Sequence, residues 1–421
     1  MSTGQKIRLA GFGAGGWNTK NLATFNNWPD VELVAVADVN QLAVAATQAQ
    51  YPEVVGFQDY RQLLAEYGST LDAAIIATPD HMHAPMAAAA MQCGLAVYLE
   101  KPLTHTVYEA RQLSRTAKER KLVTQMGIRV HASSESRTAV HWIQSGVIGQ
   151  VKEVHVWCSN TWGDEGTNPT TSDPVPPTLD WDGWLGVAEY RPYIKGYYTP
   201  YEWRRRVDFG SGTLGDKGCH LFDPLFQALS LTSPLSICSD SISPGDSWHP
   251  HSRVNYVFPA TPKTVDTLPV YWYGGEHKPP QDFNSLFDMK RLPAQGSICV
   301  GTEGSLMLVH ADVAPVVVGG RPGPRPVLPA GDHYRQFLDA IRGQGKTTAD
   351  FEFSGPLTEA VLLGCIALRF PGVELHWDAE TMTFPNYPEA NFFVHKTYRK
   401  GWEVPGILGI IPETFDQQHG F

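Results

Sequence analysis

Ile7-Arg-Leu-Ala-Gly11-Phe-Gly13-Ala-Gly15-Gly16 is the stretch that decides the fold of this 421-residue chain. The apolar residues Ile7 to Ala10 predict a short buried strand, and the glycines that follow fit the spacing GxGxxG. A second apolar strand, Val31 to Ala37, ends in Asp38, about twenty residues after the glycines. This order predicts a dinucleotide-binding βαβ unit. The alternative is a glycine-rich turn in another kind of βαβ unit.

Each glycine has a predicted task in such a unit. Gly11 permits the tight turn, Gly13 lets the backbone approach a pyrophosphate, and Gly16 allows the helix to pack closely on the strand. Gly15 lies in the same loop, where the helix N-terminus offers backbone N–H groups to the phosphates. The Asp38 carboxylate accepts both hydroxyls of an adenosine ribose and repels a 2′-phosphate, and the next three residues include no Arg. NAD is therefore the predicted cofactor.

Two further strand ends place polar side chains beside this loop. The predicted strand from Leu71 to Ala77 runs into a Thr-Pro-Asp-His-Met-His segment, with a helix expected from about Ala84. The predicted strand from Gly94 to Leu99 runs into Glu-Lys-Pro. Parallel strands bind ligands at their carboxyl ends. The candidate cofactor-binding residues at these ends are Thr78, Pro79, His83, Glu100 and Lys101. Because His81 and His83 have no third ligand nearby in sequence, no metal is predicted.

Composition and charge narrow the range of functions. The formal net charge of −10 argues against nucleic acid or an anionic membrane as a partner. No leader resembling an export signal is visible, and no apolar stretch reaches the ~20 residues that span a bilayer. The six scattered cysteines indicate reduced thiols, so we expect a cytoplasmic protein. The length predicts two or three domains. The sequence patterns divide the chain into a domain at residues 1–125, a domain at 126–404 and a tail at 405–421.

The second part of the chain supplies candidate substrate and catalytic groups. Trp and Tyr are dense between Trp157 and Trp203, which is typical either of a wall against a sugar ring or of a packed core or subunit contact. Asp216 and His220 are four residues apart on a predicted helix and share one face. They form either a proton-handling pair or a helix cap beside a packed His. Short alternating segments between about Leu235 and Val318 predict antiparallel strands, with a hairpin turn at residues 301–304.

Taken together, these motifs resemble the Gfo/Idh/MocA family of NAD(P)-dependent sugar and polyol oxidoreductases. The resemblance rests on the glycine loop, Thr78-Pro79 with His83, Glu100-Lys101-Pro102, and Asp216 with His220. It implies an α/β fold, in which an N-terminal Rossmann dinucleotide-binding domain precedes a C-terminal α/β domain with a large, mostly antiparallel sheet. It also implies a homodimer or homotetramer formed through the outer face of that sheet. One departure is the Lys-Gly-Cys sequence at 217–219, between the last two motif residues.

The same resemblance implies the roles of the site residues. Lys101, Asp216 and His220 match the catalytic trio of the family. The expected reaction is oxidation of a secondary hydroxyl of a sugar, glycoside or polyol by NAD. His220 would accept the proton, and Lys101 would stabilise the developing charge with a pKa lowered by burial and by the cofactor. Asp216 would orient the substrate hydroxyl or His220, and the family leaves open whether His220 or Lys101 is the base. The candidate substrate-binding residues are Trp162, Trp203, Arg204 and Arg129.

Two other functions fit the same motifs. One is glycoside cleavage through a transient keto intermediate, without net redox change, for which His81, Tyr197 and Tyr198 would be additional proton-handling groups. The other is a non-catalytic NAD-binding sensor, which the presence of all three catalytic residues disfavours.

Overall fold

The computed structural model describes residues 5–165, 169–310, 313–328 and 331–407, and these residues form two sheets with helices packed on them. The expected tail at 405–421 lies outside the described residues from position 408 onward. In the described ranges, we find no helix that combines the length and the apolar character needed to cross a bilayer. The cytoplasmic location and the dimer or tetramer stay predictions.

The first sheet is parallel and has the strand order β3-β2-β1-β4-β5-β6. Its strands are β1 (Ile7–Phe12), β2 (Val31–Ala37), β3 (Val55–Phe57), β4 (Ala73–Ile76), β5 (Ala96–Glu100) and β6 (Thr124–Gly127). The connecting helices are α1 (Asn18–Asn26), α2 (Gln41–Gln50), α3 (Tyr60–Tyr67), α4 (Asp80–Gln92) and α5 (Val107–Arg120). The strand order reverses between β1 and β4, and ligands of such sheets bind at that reversal. The predicted Rossmann domain is confirmed.

The second sheet has eight strands in the order β13-β12-β11-β7-β10-β9-β8-β14. Its strands are β7 (Val151–Cys158), β8 (Ser236–Ser239), β9 (Ser252–Phe258), β10 (Leu268–Gly274), β11 (Gln295–Gly301), β12 (Gly304–Val309), β13 (Val316–Gly319) and β14 (Glu374–His376). Only β7 and β10 pair in parallel among these strands, so the prediction of a mostly antiparallel sheet is confirmed. The remaining helices are α6 (Ser134–Gln144), α7 (Trp181–Leu185), α8 (Gly212–Leu229), α9 (Asp282–Leu286), α10 (His333–Ile341) and α11 (Phe351–Ala367).

The chain returns to the first sheet near its end. Phe337 and Leu338 of α10 lie in the same buried cluster as Ile7 and Leu9 of β1. Helix α11 packs on α5 and on α8, and so joins the two domains. These contacts fix α8 relative to the carboxyl edge of the parallel sheet. As a result, side chains of both domains meet in one cleft.

Candidate active site

A cleft of about 1310 Å³ runs along the carboxyl edge of the parallel sheet and is bordered by α8. Among the residues predicted to be catalytic or to bind cofactor or substrate in the main hypothesis, Gly11 does not line it, because it lies inside β1. The predicted residues that line the cleft are Gly13, Gly15, Gly16, Asp38, Thr78, Pro79, His83, Glu100, Lys101, Arg129, Trp162, Trp203, Arg204, Asp216 and His220. Residues remote in sequence therefore share one site.

The glycines of the loop have tasks that differ from the predicted ones. A Cβ at Gly11 would lie 2.9 Å from the side chain of Leu22, so close packing of α1 on β1 depends on Gly11 and not on Gly16. Gly13 is the residue that forms the tight turn, with φ +86°, and a Cβ there would lie 2.6 Å from the Ala77 carbonyl oxygen. Gly16 has φ +56°, and a Cβ there would meet the ring of Tyr201 at 4.0 Å and no atom of β1. The predicted tasks of Gly11 and Gly16 are thus wrong, although the loop itself is present.

Asp38 holds the glycine loop as well as facing the cleft. Its Oδ2 accepts a hydrogen bond from the Ala14 N–H at 2.8 Å, and its Oδ1 accepts one from the Asn40 N–H at 2.8 Å. Each carboxylate oxygen retains a lone pair for a further donor. A loop of small residues with an acid at this point fits a dinucleotide whose ribose hydroxyls are free.

Arg61 is a cation at this end of the cleft that sequence reasoning missed. Its Nε lies 3.0 Å from both carboxylate oxygens of Asp59, and its Nη2 lies 2.7 Å from Oδ2. The guanidinium also stacks on the ring of Trp402, with 4.1 Å to the centroid. Because Asp59 neutralises Arg61, this cation does not reverse the preference for NAD that Asp38 indicates. No sequence signal connects residue 402 with residue 61.

His83 lies between the two strand-end turns. Its Nδ1 is 2.8 Å from the Pro102 carbonyl oxygen, and its Nε2 is 2.9 Å from the Thr78 carbonyl oxygen. Burial lowers the pKa of His83 to about 4, so the ring is neutral and donates one of these two hydrogen bonds. The Lys101–Pro102 bond is cis. His83 therefore connects the turn after β4 with the turn that presents Lys101.

His81 is buried away from the cleft. Its Nε2 lies 3.1 Å from the Trp184 carbonyl oxygen, and its ring packs edge-on against Phe209. Burial lowers the pKa of His81 to about 3. The expectation that it handles protons for the substrate is wrong, because it lies on the inner face of α4.

Glu100 and Arg129 occupy the floor between the glycine loop and Lys101. Glu100 is buried, and its Oε1 accepts a hydrogen bond from Asn21 Nδ2 at 2.9 Å. Burial raises its pKa, and the Asn21 hydrogen bond and nearby cations oppose that effect. The Arg129 guanidinium lies over the ring of Trp17, 5.3 Å from its centroid, directly after the glycine loop. This position favours the cofactor end of the cleft over the substrate end predicted for Arg129.

Lys101 and Asp216 join the two domains through an ion pair. Lys101 Nζ lies 2.5 Å from Asp216 Oδ1 and 3.0 Å from the Asp216 carbonyl oxygen. Trp162 Nε1 donates to Asp216 Oδ2 at 2.9 Å, while Arg204 Nε and Lys217 Nζ lie 3.6 and 3.7 Å from the carboxylate. Burial alone would raise the pKa of Asp216, but the three cations outweigh it and hold that pKa well below its usual range. Asp216 is therefore ionised.

The same pair decides the protonation of Lys101. Burial alone would lower its pKa, but the charge and hydrogen bond of Asp216 outweigh burial, and the pKa is raised above its usual value. The expectation of a lowered pKa is wrong for this arrangement, because sequence reasoning did not place Asp216 in contact with the ammonium. Lys101 is a cationic hydrogen-bond donor.

His220 follows Asp216 by one turn of α8 and lines the cleft. Its ring lies 5.2 Å from the ring of His310, and its Nδ1 is buried without a hydrogen-bond partner among the described residues. Burial and the positive charge of Lys101 hold the pKa of His220 well below its usual value, so the ring is neutral. A neutral imidazole accepts a proton at its unprotonated nitrogen.

Asp80 also lines the cleft, although the sequence motifs predict no role for it. It is 4% exposed, and its Oδ2 accepts hydrogen bonds from Ser211 Oγ at 2.8 Å and from the Ser211 N–H at 3.1 Å. Burial raises the pKa of Asp80 to about 7. Helix α4 begins at Asp80, so the start predicted near Ala84 is wrong. The position of Asp80 directly after Thr-Pro at a strand end is the signal that marks it.

The aromatic segment forms a packed cluster, and part of this cluster lines the cleft. Trp181 stacks on Trp184 with 4.8 Å between centroids, and Tyr198 packs in the same cluster. The Tyr197 hydroxyl donates to Asp246. The tyrosines at 197 and 198 are thus used in packing and are not among the residues that line the cleft, which makes their expected proton-handling role wrong. The aromatic residues of this region that do line the cleft are Trp162, Trp184, Tyr193, Tyr201 and Trp203.

Within the parts of the chain that the structure describes, no group of three His, Cys, Asp or Glu residues is arranged to hold a metal ion.

Comparisons with known proteins agree with this architecture. The family model of the NAD-binding Rossmann domain of Gfo/Idh/MocA oxidoreductases matches residues 7–128, and the model of their C-terminal α/β domain matches residues 137–260. The WlbA dehydrogenase of Bordetella pertussis, crystallised with NADH and UDP-GlcNAcA, superposes with a TM-score of 0.65. The alignment has 16% sequence identity and covers 89% of this chain and 99% of WlbA, which shows a shared fold.

Curated relatives match over shorter stretches. A glycosyl hydrolase family 109 protein of Shewanella is 29% identical over 154 residues, which are 34% of this chain and 33% of that protein. A 4-carboxy-2-hydroxymuconate-6-semialdehyde dehydrogenase of Sphingobium is 31% identical over 121 residues, 29% of this chain and 38% of that enzyme. The match thus spans about a third of the length of these relatives. On the two family models, the chain belongs to the Gfo/Idh/MocA family of NAD-binding oxidoreductases.

Proposed function

We propose that the protein oxidises a secondary hydroxyl of a sugar, glycoside or polyol, with NAD as the hydride acceptor. One observation supports this proposal above the others. Lys101 of the NAD-binding domain lies 2.5 Å from Asp216 of the second domain, and His220 lines the same cleft one helical turn further on. A fixed cation beside a neutral imidazole suits the removal of a proton from a hydroxyl.

The first domain supplies the cofactor site in this proposal. The loop backbone at Gly13, Gly15 and Gly16 would hold the pyrophosphate, and the free lone pairs of Asp38 would accept the ribose hydroxyls. Arg129, stacked beside the loop, would balance the phosphate charge. NAD supplies the hydride acceptor that the chain's own side chains lack.

The protonation states divide the work between Lys101 and His220. Because the Lys101 pKa is raised, its ammonium donates a hydrogen bond to the substrate oxygen and stabilises the charge that develops there. His220 lines the cleft with a neutral ring that has one unprotonated nitrogen, and we assign the acceptance of the hydroxyl proton to this ring. Asp216 keeps Lys101 charged and in place. This division assigns the base to His220 and leaves Lys101 as the donor.

Glycoside cleavage without net redox change is the second candidate. It is favoured by the similarity to glycosyl hydrolase family 109 proteins and by Asp80, whose pKa near 7 gives the cleft a further group able to move a proton. The absence of His81, Tyr197 and Tyr198 from the cleft lining weighs against it, because these were the additional proton-handling groups that elimination was expected to use.

A screen with two readouts separates the candidates. Purified protein with added NAD is incubated with sugars, polyols and nitrophenyl glycosides while NADH fluorescence and phenol release are recorded together. Formation of NADH without phenol supports dehydrogenation. Phenol release without net NADH establishes cleavage instead. A protein that binds NAD but gives neither signal contradicts both enzymatic proposals.

A further inference from the structure

The cleft around Asp216 contains an excess of positive charge. Lys101, Arg204 and Lys217 lie within 2.5 to 3.7 Å of this single ionised carboxylate. Two further carboxyl groups lie nearby: Asp80, with a pKa of about 7, and the buried Glu100, whose pKa is also raised by burial. Burial thus weakens the negative charge of two of the three carboxyl groups, Asp80 and Glu100, that lie near the three cations. An uncompensated cation in a partly buried site is expensive unless a bound anion balances it.

Arg204 is the cation whose geometry is best suited to that anion. Its guanidinium is stacked between aromatic rings, 4.1 Å from the ring centroid of Trp203 and 5.3 Å from that of Trp162. Its Nε faces Asp216, whereas its Nη1 is buried with no hydrogen-bond partner among the residues that the structure describes. A buried N–H without an acceptor costs the desolvation of that group. An acceptor brought by a ligand would remove this cost.

The phosphates of the dinucleotide have cations of their own elsewhere in the cleft. Lys20 and Arg129 both lie over the ring of Trp17, at 4.6 and 5.3 Å from its centroid, directly after the glycine loop. Arg204 is held instead at the catalytic carboxylate. Its free N–H is therefore placed for the substrate.

We propose that the substrate carries a carboxylate that pairs with Arg204, as in a uronic acid or a related polyhydroxy acid. This inference rests on the proposed function, since it specifies the substrate of the same site. A planar carboxylate matches the fork of a guanidinium.

Matched substrates test the proposal. D-glucuronate and D-galacturonate are compared with their methyl esters, their parent hexoses and the hexose 6-phosphates in the NAD-coupled assay. We expect kcat/KM for a uronate to exceed that for its ester by at least about 10-fold, the effect of one charge-assisted hydrogen bond. In Arg204→Gln this preference disappears, while NAD affinity, measured by fluorescence titration, is unchanged. Arg204→Lys keeps the positive charge but lacks the planar fork, so it retains part of the preference for the uronate.

The control is Arg253→Gln, which removes an arginine of an exposed pair with Asp240 on the second sheet. It leaves the uronate preference intact. Equal use of uronates and esters, a preference for the 6-phosphates, or loss of NAD affinity in Arg204→Gln overturns the inference. If no hydroxyl compound is oxidised, the proposed function fails. In that case calorimetric binding of uronate and ester to the NAD-loaded protein decides the inference alone, and equal affinity rejects it.

Discussion

Replacing Asp216 with Asn gives a quantitative test of the ion pair at the centre of the site. The substitution keeps the shape of the side chain and removes the charge that holds the Lys101 ammonium at 2.5 Å. The side chains of the two partners are 13% and 12% exposed, so water screens their interaction little. Removing one partner of such a buried pair costs about 3–5 kcal/mol.

Deprotonation of Lys101 limits this cost. A lysine with an ordinary pKa of about 10.4 gives up its proton at pH 7 for about 4.6 kcal/mol, at about 1.36 kcal/mol per pKa unit. We therefore expect Asp216→Asn to lose about 3–4.6 kcal/mol of stability at pH 7. With an unfolding entropy of about 2.1 cal/mol/K per residue, a chain of 421 residues loses roughly 3–5 °C in Tm.

The pH dependence gives the sign of the effect. In the wild type the Lys101 pKa is raised and the Asp216 pKa is lowered. The contribution of the ion pair to folding stability is therefore constant at pH values above the ordinary pKa of Asp and below the ordinary pKa of Lys. That contribution is lost as pH rises through the Lys101 pKa or falls through the Asp216 pKa. In Asp216→Asn, burial lowers the Lys101 pKa, so the unfolded chain binds the additional proton. The variant's stability then rises relative to the wild type from pH 7 to pH 9.

Thermal unfolding of both proteins at pH 7, 8 and 9 measures both effects. Asp240→Asn serves as the matched control, because its pair with Arg253 at 3.4 Å is exposed and contributes less than about 1 kcal/mol. If Asp216→Asn costs no more than Asp240→Asn and shows no dependence on pH, the buried pair is absent in solution and the reasoning fails.

Two predictions concern the cofactor end. Gly13→Ala and Gly94→Ala both place a side chain at positive φ, +86° and +78°, but only the first puts a Cβ 2.6 Å from a carbonyl oxygen, that of Ala77. We expect the strained backbone to cost both variants about 1–2 kcal/mol of stability, measured by thermal unfolding. Gly13→Ala should lose more stability than Gly94→Ala and should bind NAD poorly in a fluorescence titration. Equal losses of stability with normal NAD binding contradict this. Asp38→Ala should weaken NAD binding about 10-fold and leave NADP binding unchanged or stronger in the same titration, since the carboxylate favours ribose hydroxyls over a phosphate; unchanged affinity for NAD refutes the assignment.

The first domain was predictable because its signals are local. Apolar runs that end in glycine or acidic residues mark β1 and β2, and the strand ends then place Asp38 and Lys101 at one edge of the sheet. Spacing along one helix likewise brought Asp216 and His220 to the same cleft.

The rest depends on contacts between distant residues. Leu22 decides which glycine packs against α1. The hydrogen bond from Tyr197 to Asp246 and the packing of Tyr198 in the aromatic cluster engage these two tyrosines away from the cleft. The raised pKa of Lys101 follows from its contact with Asp216, 115 residues away in sequence. Local patterns contain no information about such pairs, because burial and charge act through space.

The central claim is that Lys101 acts on the substrate oxygen while the first domain binds NAD independently of it. The most direct measurement is turnover and NAD affinity of Lys101→Ala, with the best substrate of the screen. We predict that kcat falls at least about 100-fold, as for loss of a group that stabilises charge in the transition state, while the Kd for NAD is unchanged. A fully active variant, or one that loses activity only because it no longer binds NAD, contradicts the account.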